Sequence, residues 1–467
     1  MSFPGYSEYK DSGVKWLGAI PAHWGVGSFR HLIDSVSNGT TTEQVDEADN
    51  TVAVSRIETI SGGTINFEKV GYVNFTDSLK RFLLVDGDIL FSHINSLPMV
   101  GNAAIYRSDN PLLHGMNLLR IRPASSAVSN WILYWLKSKG VREDVESRAK
   151  PAINQASIST GSVRALPALI PTLFEQTQIA RFLDHETAKI DTLIHEQKRL
   201  IELLKEKLQA VISHAVTKGL DPDVPMKDSG AEWLGEVPEH WAVGKLRWYA
   251  TIQGGIAKGK DYADEETVTL PYLRVANVQA GYIDLETIKE IAVLESEIDR
   301  YSLKEGDVLM NEGGDNDKLG RGAVWEGQIT PCLHQNHVFA IRPKQYLSPE
   351  WLAMFTQSSR ARSYFFLNSK QSTNLASVSS SNVMNLDLPM PLPAEQKRIL
   401  AFLTAEIARF SELQSQAKEG VLLLQERRSA LISAAVTGKI DVRNWQTSAD
   451  ESAFDEEVQQ TGMETTV

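Results

Sequence analysis

The chain of 467 residues contains very little cysteine and no long apolar segment. Its single cysteine, Cys332, cannot form an internal disulfide, and a cysteine-based zinc site would need further cysteines. The first residues lack the basic and apolar regions of a signal peptide. No apolar run approaches the roughly 18 residues of a membrane span. We therefore expect a cytoplasmic protein that is neither secreted nor inserted in a membrane.

Basic charge is also scarce. The chain has 47 Lys+Arg against 59 Asp+Glu, a net charge of −12. Six of these acids and none of the bases lie in residues 446–467, which we predict to be an acidic disordered tail. The remaining residues carry a net charge of −6. A protein that binds DNA unaided should instead be basic.

The common catalytic motifs are missing as well. The sequence has no His-Glu-x-x-His helix, no cysteine cluster, no Gly-x-Ser-x-Gly and no Asn/Asp-Pro-Pro-aromatic stretch. The segment QGGIAKGKD (253–261) approaches a phosphate-binding loop, but Asp261 stands where Ser or Thr would face Mg²⁺. Because a carboxylate there repels phosphates, we do not expect nucleotide binding.

Two acidic pairs, Asp86/Asp88 and Asp315/Asp317, have the spacing of possible metal ligands. Only Gly87-Asp88 of the first pair recurs, as Gly306-Asp307. A repeated Gly-Asp before a strand is typical of a turn in which the carboxylate accepts from backbone N–H groups. We therefore predict a structural turn, and no catalytic or metal site.

The most informative feature is an internal duplication. The segments KDSGVKWLGAIPAHWGVGSFR (10–30) and KDSGAEWLGEVPEHWAVGKLR (227–247) are identical at 13 of 21 positions, at an offset of 217. The offset grows to 220 further along, where Glu175-Gln176 matches Glu395-Gln396. The chain is thus two copies of one unit of about 220 residues.

Each copy has a strand-rich part and a helical part. Residues 31–165 and 248–387 contain short apolar runs interrupted by Gly, Asn, Asp and Pro, which predicts an α+β domain. WILYWLKS (131–138) and WLAMFTQS (351–358) are predicted to be short buried helices within it. Residues 175–217 and 395–437 lack proline and have helical apolar periodicity, so each should form one long helix.

Both long helices have apolar residues at alternating spacings of four and three, the pattern of a coiled-coil seam. The first seam comprises Ile190, Ile194, Gln197, Ile201, Leu204, Leu208, Val211 and Ala215. The second comprises Phe410, Gln414, Ala417, Val421, Leu424, Arg428, Leu431 and Ala435. Each helix could pack only on its own domain, but pairing between the helices explains both seams. Duplication favours a pseudo-twofold axis, and hence an antiparallel pair.

The repeated segments resemble the DNA-specificity subunit of Type I restriction-modification systems. The resemblance is carried by the two KDSG…HW segments and by the helical segments LIPTLFEQTQIARFLDHETAKID and LPMPLPAEQKRILAFLTAEIARF with their continuations. It implies two target-recognition domains, 1–165 and 221–387, a central conserved region at 166–220 and a distal one at 388–445, followed by the tail 446–467. The implied fold is α+β, with two tandem-duplicated domains separated by two long helices in an antiparallel coiled coil.

The resemblance also implies function. Such a subunit is not an enzyme but reads a bipartite, asymmetric target in double-stranded DNA. It docks two modification (methyltransferase) subunits and restriction (endonuclease/translocase) subunits. It implies no cofactor on this chain, since S-adenosylmethionine, ATP and Mg²⁺ belong to the partner subunits. Basic partners would also explain how an acidic chain binds DNA. The alternative is a stand-alone DNA-binding regulatory protein with duplicated recognition domains.

Candidate DNA-binding residues lie in polar or Gly-rich segments where the two copies diverge, as expected if the copies read different bases. In the first domain they are Lys80, Arg81, His93, Asn95 and Arg107. In the second domain they are Lys258, Lys260, Asn311, Asn316, Lys318 and Arg321. Four further residues are shared by the copies and are expected to serve the junction with the helix or a phosphate contact: Lys150, Asn154, Lys370 and Asn374.

Overall fold

The computed structural model describes residues 3–153, 155–259, 262, 265–314, 319–371 and 376–447. They form two compact units, one drawn from Met1–Gln197 and Glu419–Val467, the other from Lys198–Lys418. Each unit therefore contains one strand-rich stretch and parts of both long helices. Of the predicted acidic tail, residues 448–467 lie outside the described residues.

Fourteen strands are described in each copy. In the first copy they are β1 (Tyr9–Asp11), β2 (Ala19–Pro21), β3 (Gly25–Ser28), β4 (Ile33–Asn38), β5 (Thr51–Ser55), β6 (Val70–Asn74), β7 (Ile89–Ser92), β8 (Ile94–Asn95), β9 (Ala103–Ile105), β10 (Leu112–Leu113), β11 (Leu118–Pro123), β12 (Lys150–Ala152), β13 (Gln155–Ser157) and β14 (Pro167–Ile170). In the second copy they are β15 (Met226–Asp228), β16 (Glu236–Pro238), β17 (Ala242–Lys245), β18 (Ala250–Gly254), β19 (Thr267–Leu273), β20 (Lys289–Leu294), β21 (Val308–Asn311), β22 (Gly313–Gly314), β23 (Gly322–Val324), β24 (Leu333–His334), β25 (Val338–Pro343), β26 (Lys370–Gln371), β27 (Ala376–Ser377) and β28 (Asp387–Met390).

The described helices follow the same duplication. They are α1 (Ser129–Lys137), α2 (Lys139–Arg148), α3 (Thr160–Arg164), α4 (Leu173–Lys218), α5 (Leu246–Tyr249), α6 (Glu295–Tyr301), α7 (Pro349–Thr356), α8 (Ser359–Leu367), α9 (Ser380–Met384) and α10 (Pro393–Val436). Short 3₁₀ helices at Phe29–His31 and Asp77–Phe82 stand where the second copy has α5 and α6. The two long helices and the short buried helices α1 and α7 confirm the predictions from periodicity.

The strands of the two copies pair in the same order. Each copy has a four-stranded antiparallel sheet, β4-β11-β7-β9 in the first and β18-β25-β21-β23 in the second. A three-stranded sheet, β10-β5-β6 or β24-β19-β20, includes one parallel pair. A smaller sheet pairs β12-β13-β8 or β26-β27-β22. The duplication is thus structural, and the predicted α+β fold is confirmed.

Each unit has its own tryptophan-rich core. Trp24, Trp131 and Trp135 are fully buried in the first unit, and Trp241 and Trp351 in the second. Helix α1 packs against β9, and α7 packs against β21 and β23. Because each core also takes apolar residues from both long helices, burial of apolar surface joins the recognition fold to the helices.

Local sequence signals explain where the long helices begin and end. Thr172 and Glu175 form a capping box at the start of α4: Thr172 Oγ1 accepts from Glu175 N at 3.3 Å, and Glu175 Oε2 accepts from Thr172 N at 3.3 Å. Gly219 follows α4 with φ +78°, the left-handed conformation that ends helices. Helix α10 begins with Pro393, which suits a first turn that needs no N–H partner.

The long helices run antiparallel within each unit. In the first unit, Gln178 near the start of α4 contacts residues just beyond the end of α10. Further along, Asp191, 18 residues after the start of α4, contacts Arg428, eight residues before the end of α10. In the second unit, the core joins Ile212 and Val216 near the end of α4 to Ile399 near the start of α10. The predicted antiparallel pairing is confirmed.

Burial along the helices follows the seam. From residue 191 to 211 of α4, the residues that are not exposed are Ile194, Gln197, Ile201, Leu204, Leu208, Gln209 and Val211, and Ile190 before them is buried. From 411 to 431 of α10 they are Gln414, Ala417, Gly420, Val421, Leu424, Arg428 and Leu431, and Phe410 before them is buried. In the part of the chain that the structure describes, no helix is long and apolar enough to cross a membrane.

Candidate nucleic-acid interface

The basic candidates Lys80 and Arg81 lie together on the 3₁₀ helix Asp77–Phe82. Lys80 Nζ is 2.7 Å from the Asp77 carboxylate, and both side chains are exposed. The Arg81 guanidinium lies over the Phe82 ring, 4.7 Å from its centroid. The main chain here is held by Arg120, whose Nη1 donates to Arg81 O at 2.9 Å. Two exposed cations are therefore presented on an anchored turn.

His93 and Asn95 lie at β7 and β8 and point largely inward. His93 is buried, and burial lowers the pKa of its imidazole. Asn95 Nδ2 donates to Ser92 Oγ at 3.2 Å, and its Oδ1 accepts from Ser96 N at 2.8 Å. These contacts hold the turn after β7.

Arg107 lies apart from the other first-domain candidates. Its guanidinium forms an ion pair with Asp86 and donates through Nη2 to Asn130 Oδ1 at 3.1 Å. It lines a cavity of about 460 Å³ that also contains Tyr134 and Lys137. Arg107 thus faces the groove between the recognition fold and the long helices.

In the second domain, the structure brings Asn311 and Arg321 together at the ends of β21 and β23. Asn311 is buried, and its Nδ2 donates to Val278 O at 3.1 Å. Arg321 Nη1 donates to Gln279 Oε1 at 3.3 Å. Lys258 is exposed after β18. The remaining predicted residues, Lys260, Asn316 and Lys318, lie outside the described residues, as do Asp315, Asp317, Asn154 and Asn374.

A polar cavity in the first domain is lined by residues that were not among the predicted DNA-binding residues. It has a volume of about 250 Å³ and is lined by Thr40, Thr42, Gln44, Arg56 and Asn117, among others. Gln44 Oε1 accepts from Arg56 Nε at 2.7 Å, and the hydroxyls of Thr40 and Thr42 are 2.7 Å apart. Guanidinium, amide and hydroxyl groups are the ones that read base edges. In the sequence, this cavity corresponds to the polar run GTTTEQ (39–44).

The repeated Gly-Asp forms the predicted turn. Asp88 Oδ2 accepts from Val85 N at 3.0 Å, and Asp307 Oδ2 accepts from Lys304 N at 2.8 Å. Both carboxylates also accept two hydrogen bonds from an arginine that the sequence did not suggest. The Arg122–Asp88 and Arg342–Asp307 distances are 2.7–2.8 Å. These pairs link two central strands in each copy, and among the described residues no acidic or histidine cluster is arranged to hold a metal ion.

A carboxylate joins each Pro-x-His-Trp segment to its long helix. Glu175 Oε1 accepts from Trp24 Nε1 at 3.0 Å and lies 2.8 Å from His23 Nε2. In the second copy, Glu395 Oε2 lies 2.9 Å from His240 Nε2. Burial raises the pKa of Glu175, but hydrogen bonds from Trp24, His23 and Thr172 outweigh it, so the pKa is lowered.

Glutamine side chains make a second link at the same junctions. Gln176 Oε1 accepts from Val128 N at 2.8 Å, and Gln396 Oε1 accepts from Ser348 N at 3.2 Å. The repeated Glu-Gln therefore fixes each recognition fold to the start of a long helix.

Comparison with known proteins agrees with this architecture. The family model described as the type I restriction modification DNA specificity domain matches residues 238–422. The type I restriction enzyme MjaX specificity subunit of Methanocaldococcus jannaschii is 29% identical over 455 residues, covering 93% of this chain and 98% of the relative. The EcoKI specificity subunit of Escherichia coli strain K12 is 24% identical over 323 residues, covering 68% and 67%.

Solved structures show the same fold. A chain from a study of the assembly and conformational transition of the type I R-M system superposes with a TM-score of 0.67 at 16% identity, over 89% of this chain and 98% of that one. The HsdS subunit from Thermoanaerobacter tengcongensis superposes with a TM-score of 0.52 at 15% identity, over 90% and 98%. The chain is therefore similar to type I restriction enzyme specificity subunits over nearly its full length, and its residues 238–422 match the type I restriction modification DNA specificity domain.

Proposed function

We propose that this chain reads a bipartite, asymmetric DNA target, with one half read by each recognition fold. The observation that carries the proposal is a common strand framework with different polar side chains at equivalent positions. Strand pairing makes β8 equivalent to β22 and β9 equivalent to β23. His93 and Asn95 therefore correspond to Glu312 and Gly314, and Arg107 corresponds to Glu326.

These exchanges give the two copies different hydrogen-bonding groups on the same framework. A histidine or arginine donates hydrogen bonds, whereas a glutamate at the same position only accepts them. Since purine and pyrimidine edges differ in their donors and acceptors in the major groove, equal frameworks with unequal side chains favour two different half-sites. The target of such a protein is split and non-palindromic.

We further propose that two modification subunits dock on the long helices and that restriction subunits join this complex. Large apolar side chains are exposed along both helices, outside the seam: Leu193, Leu200, Leu203, Leu413, Leu422 and Leu423. Exposed apolar surface of this kind is typical of protein interfaces. The net charge of −6 without the tail also favours basic partners that neutralise DNA phosphates.

In this proposal the chain itself binds no cofactor. S-adenosylmethionine, ATP and Mg²⁺ would be held by the modification and restriction subunits. What this chain supplies is the position of the recognition folds on the helices, through the Glu175 and Glu395 junctions.

The test is methylation mapping of the reconstituted complex. The purified chain alone should not methylate or cleave DNA, with or without S-adenosylmethionine, ATP and Mg²⁺. With modification subunits present, methylation should occur at a split site. Replacing residues 31–165 by the same domain of a relative should change one half of that site only. Turnover by the pure chain, or a change in both halves, would contradict the proposal.

A further inference from the structure

The hairpin formed by β12 and β13 lies on the surface of the first recognition fold. Its strands pair Lys150 with Ser157 and Ala152 with Gln155. Every described residue of this hairpin is exposed except Ala156, which is buried. The hairpin is therefore a two-stranded ribbon that presents nearly all of its side chains to solvent.

Strand pairing places this hairpin beside a predicted DNA-binding residue. In the register of β13 with β8, Ala156 pairs with Asn95 and Ser157 pairs with Ile94. Asn95 was a DNA-binding candidate because it lies in a segment where the two copies diverge. The hairpin and this candidate, which are far apart in the chain, thus belong to one small sheet.

The outer edge of the hairpin is poorly suited to pairing with a strand of another protein. Strand β12 is an edge strand of the sheet β12-β13-β8. Pro151 lies in the middle of β12, and a proline has no N–H group to donate to a neighbouring strand. A partner of this hairpin is therefore contacted through side chains and not through backbone pairing.

Folding does not explain the isoleucine that follows β12. Ile153 is 94% exposed, so its side chain gains almost nothing from packing. Tight hairpin turns favour Gly, Asn and Asp, and a β-branched residue offers no advantage there. An apolar side chain that stabilises neither the core nor the turn is available for contact with a ligand.

The second copy has the same hairpin register with a different residue at this position. Strands β26 and β27 pair Lys370 with Ser377, as β12 and β13 pair Lys150 with Ser157, and both lysines are exposed. In the sequence, Thr373 stands where the first copy has Ile153, and Thr373 lies outside the described residues. A shared cation is typical of a phosphate contact, whereas sequence is read by residues that contact base edges.

We propose that this hairpin enters the major groove of the half-site read by the first fold, where Ile153 contacts the C5 methyl group of a thymine. The inference rests on the proposed function and adds a specificity-determining residue to it. The major groove admits a two-stranded ribbon, and the thymine methyl is the apolar group that base edges present there. Lys150, at the base of the hairpin, contacts a phosphate.

The experiment measures DNA binding by the complex of the full chain with its modification subunits. The split site is first mapped by methylation, and the half read by the first fold is identified by exchange of residues 31–165. Each thymine of that half is then replaced by deoxyuridine, which lacks the methyl group. One such replacement should weaken binding about fourfold, the effect expected when one buried methyl group is lost.

Substitution of Ile153 tests whether this residue makes the contact. Ile153→Ala should weaken binding to the unmodified site by a similar factor and should make binding insensitive to the same deoxyuridine. Because Ile153 is exposed, its replacement should not affect folding. The matched control is Val26→Ala, which shortens an exposed β-branched residue of β3, next to β14 and the start of α4, and should leave binding unchanged.

Substitution of Lys150 tests the phosphate contact separately. Lys150→Ala should weaken binding to all DNA sequences by the same factor, because a phosphate carries no sequence information. It should also reduce the slope of the logarithm of the binding constant against the logarithm of salt concentration by about one. An unchanged slope would show that Lys150 is not at a phosphate and would overturn the placement of the hairpin.

The outcomes separate this inference from the proposed function. Unchanged affinity of Ile153→Ala, in a complex that still methylates the split site, would overturn the inference alone. A loss of affinity with Ile153→Ala but with no deoxyuridine in that half would also overturn it, as would a half-site without thymine. Failure of this variant to assemble would mean that Ile153 contacts a modification subunit. Absence of a split site would contradict the proposed function and the inference together.

Discussion

Arg428 of α10 forms a bidentate ion pair with Asp191 of α4. Its Nε and Nη2 lie 2.8 and 3.1 Å from the two carboxylate oxygens. Arg428 is a polar residue in an otherwise mostly apolar seam, and the equivalent position of α4 is Leu208. The polar interruption is therefore matched by a partner on the opposite helix, which favours one register of the antiparallel pair.

We expect this ion pair to contribute little stability. The Asp191 side chain is 52% exposed, and exposed pairs are worth about 0–1 kcal/mol. A double-mutant cycle with Arg428→Ala and Asp191→Ala, measured by chemical denaturation, should give a coupling free energy below about 1 kcal/mol. A coupling free energy of several kcal/mol would show that the pair behaves as a buried one.

The buried Asp88–Arg122 pair should contribute much more. The Asp88 side chain is fully buried and also accepts from Val85 N. Asp88→Ala would leave the arginine without its partner and should lower the free energy of unfolding by about 2–4 kcal/mol. Asp86→Ala, which removes the exposed partner of Arg107, is the control and should change it by less than about 1 kcal/mol. Equal losses would contradict the prediction.

The protonation of Glu175 should make stability depend on pH in the acid range. Its pKa is below the ordinary value of 4.5 in the folded protein, so as the pH falls the unfolded chain binds this proton first. The stabilisation is complete above about pH 5 and is lost as the pH falls through the folded pKa. Glu175→Gln should flatten the pH profile of the unfolding free energy below about pH 5, with Glu206→Gln as the comparison. An unchanged profile would count against the prediction.

Protonated Lys137 should destabilise the folded protein at neutral pH, and this cost should disappear at alkaline pH. Burial, and then the charge of Arg428, lower the pKa of Lys137 to about 8, from 10.5. Between these values the unfolded chain binds the proton more tightly, so stability rises with pH. Lys137→Gln, which introduces the residue of the second copy, should stabilise the protein at pH 7 by about 1–3 kcal/mol. The gain in unfolding free energy of Lys137→Gln over the unsubstituted protein should vanish above about pH 10.5. A gain that stays constant with pH would contradict the prediction.

The Arg56 cavity offers a test of base reading in the proposed complex. If Arg56 contacts a base edge, Arg56→Ala should reduce methylation of the cognate site about 10–100-fold and relax specificity at one position. Arg56→Lys keeps the positive charge but cannot donate two parallel hydrogen bonds to one base, as a guanidinium can. It should therefore reproduce most of the defect if Arg56 reads a base, and little of it if Arg56 only contacts a phosphate.

Much of the architecture was readable from the sequence because it depends on local periodicity and on duplication. Two long proline-free segments with seam spacing predict two long helices, and 13 identities in 21 positions predict a repeated fold. Glu175 and Glu395 were visible as repeated residues for the same reason. Such patterns depend on residues that are near in sequence or equivalent between copies, so no knowledge of packing is needed.

Contacts between distant residues were decided only by the tertiary structure. Asp88 and Arg122 are 34 positions apart, and nothing in their spacing shows that β7 and β11 are neighbours in one sheet. The inward amide of Asn311 and the cavity at Thr40 and Arg56 likewise result from how loops fold over the strands. A side chain's burial and partners depend on packing across the fold, which a single sequence does not encode locally.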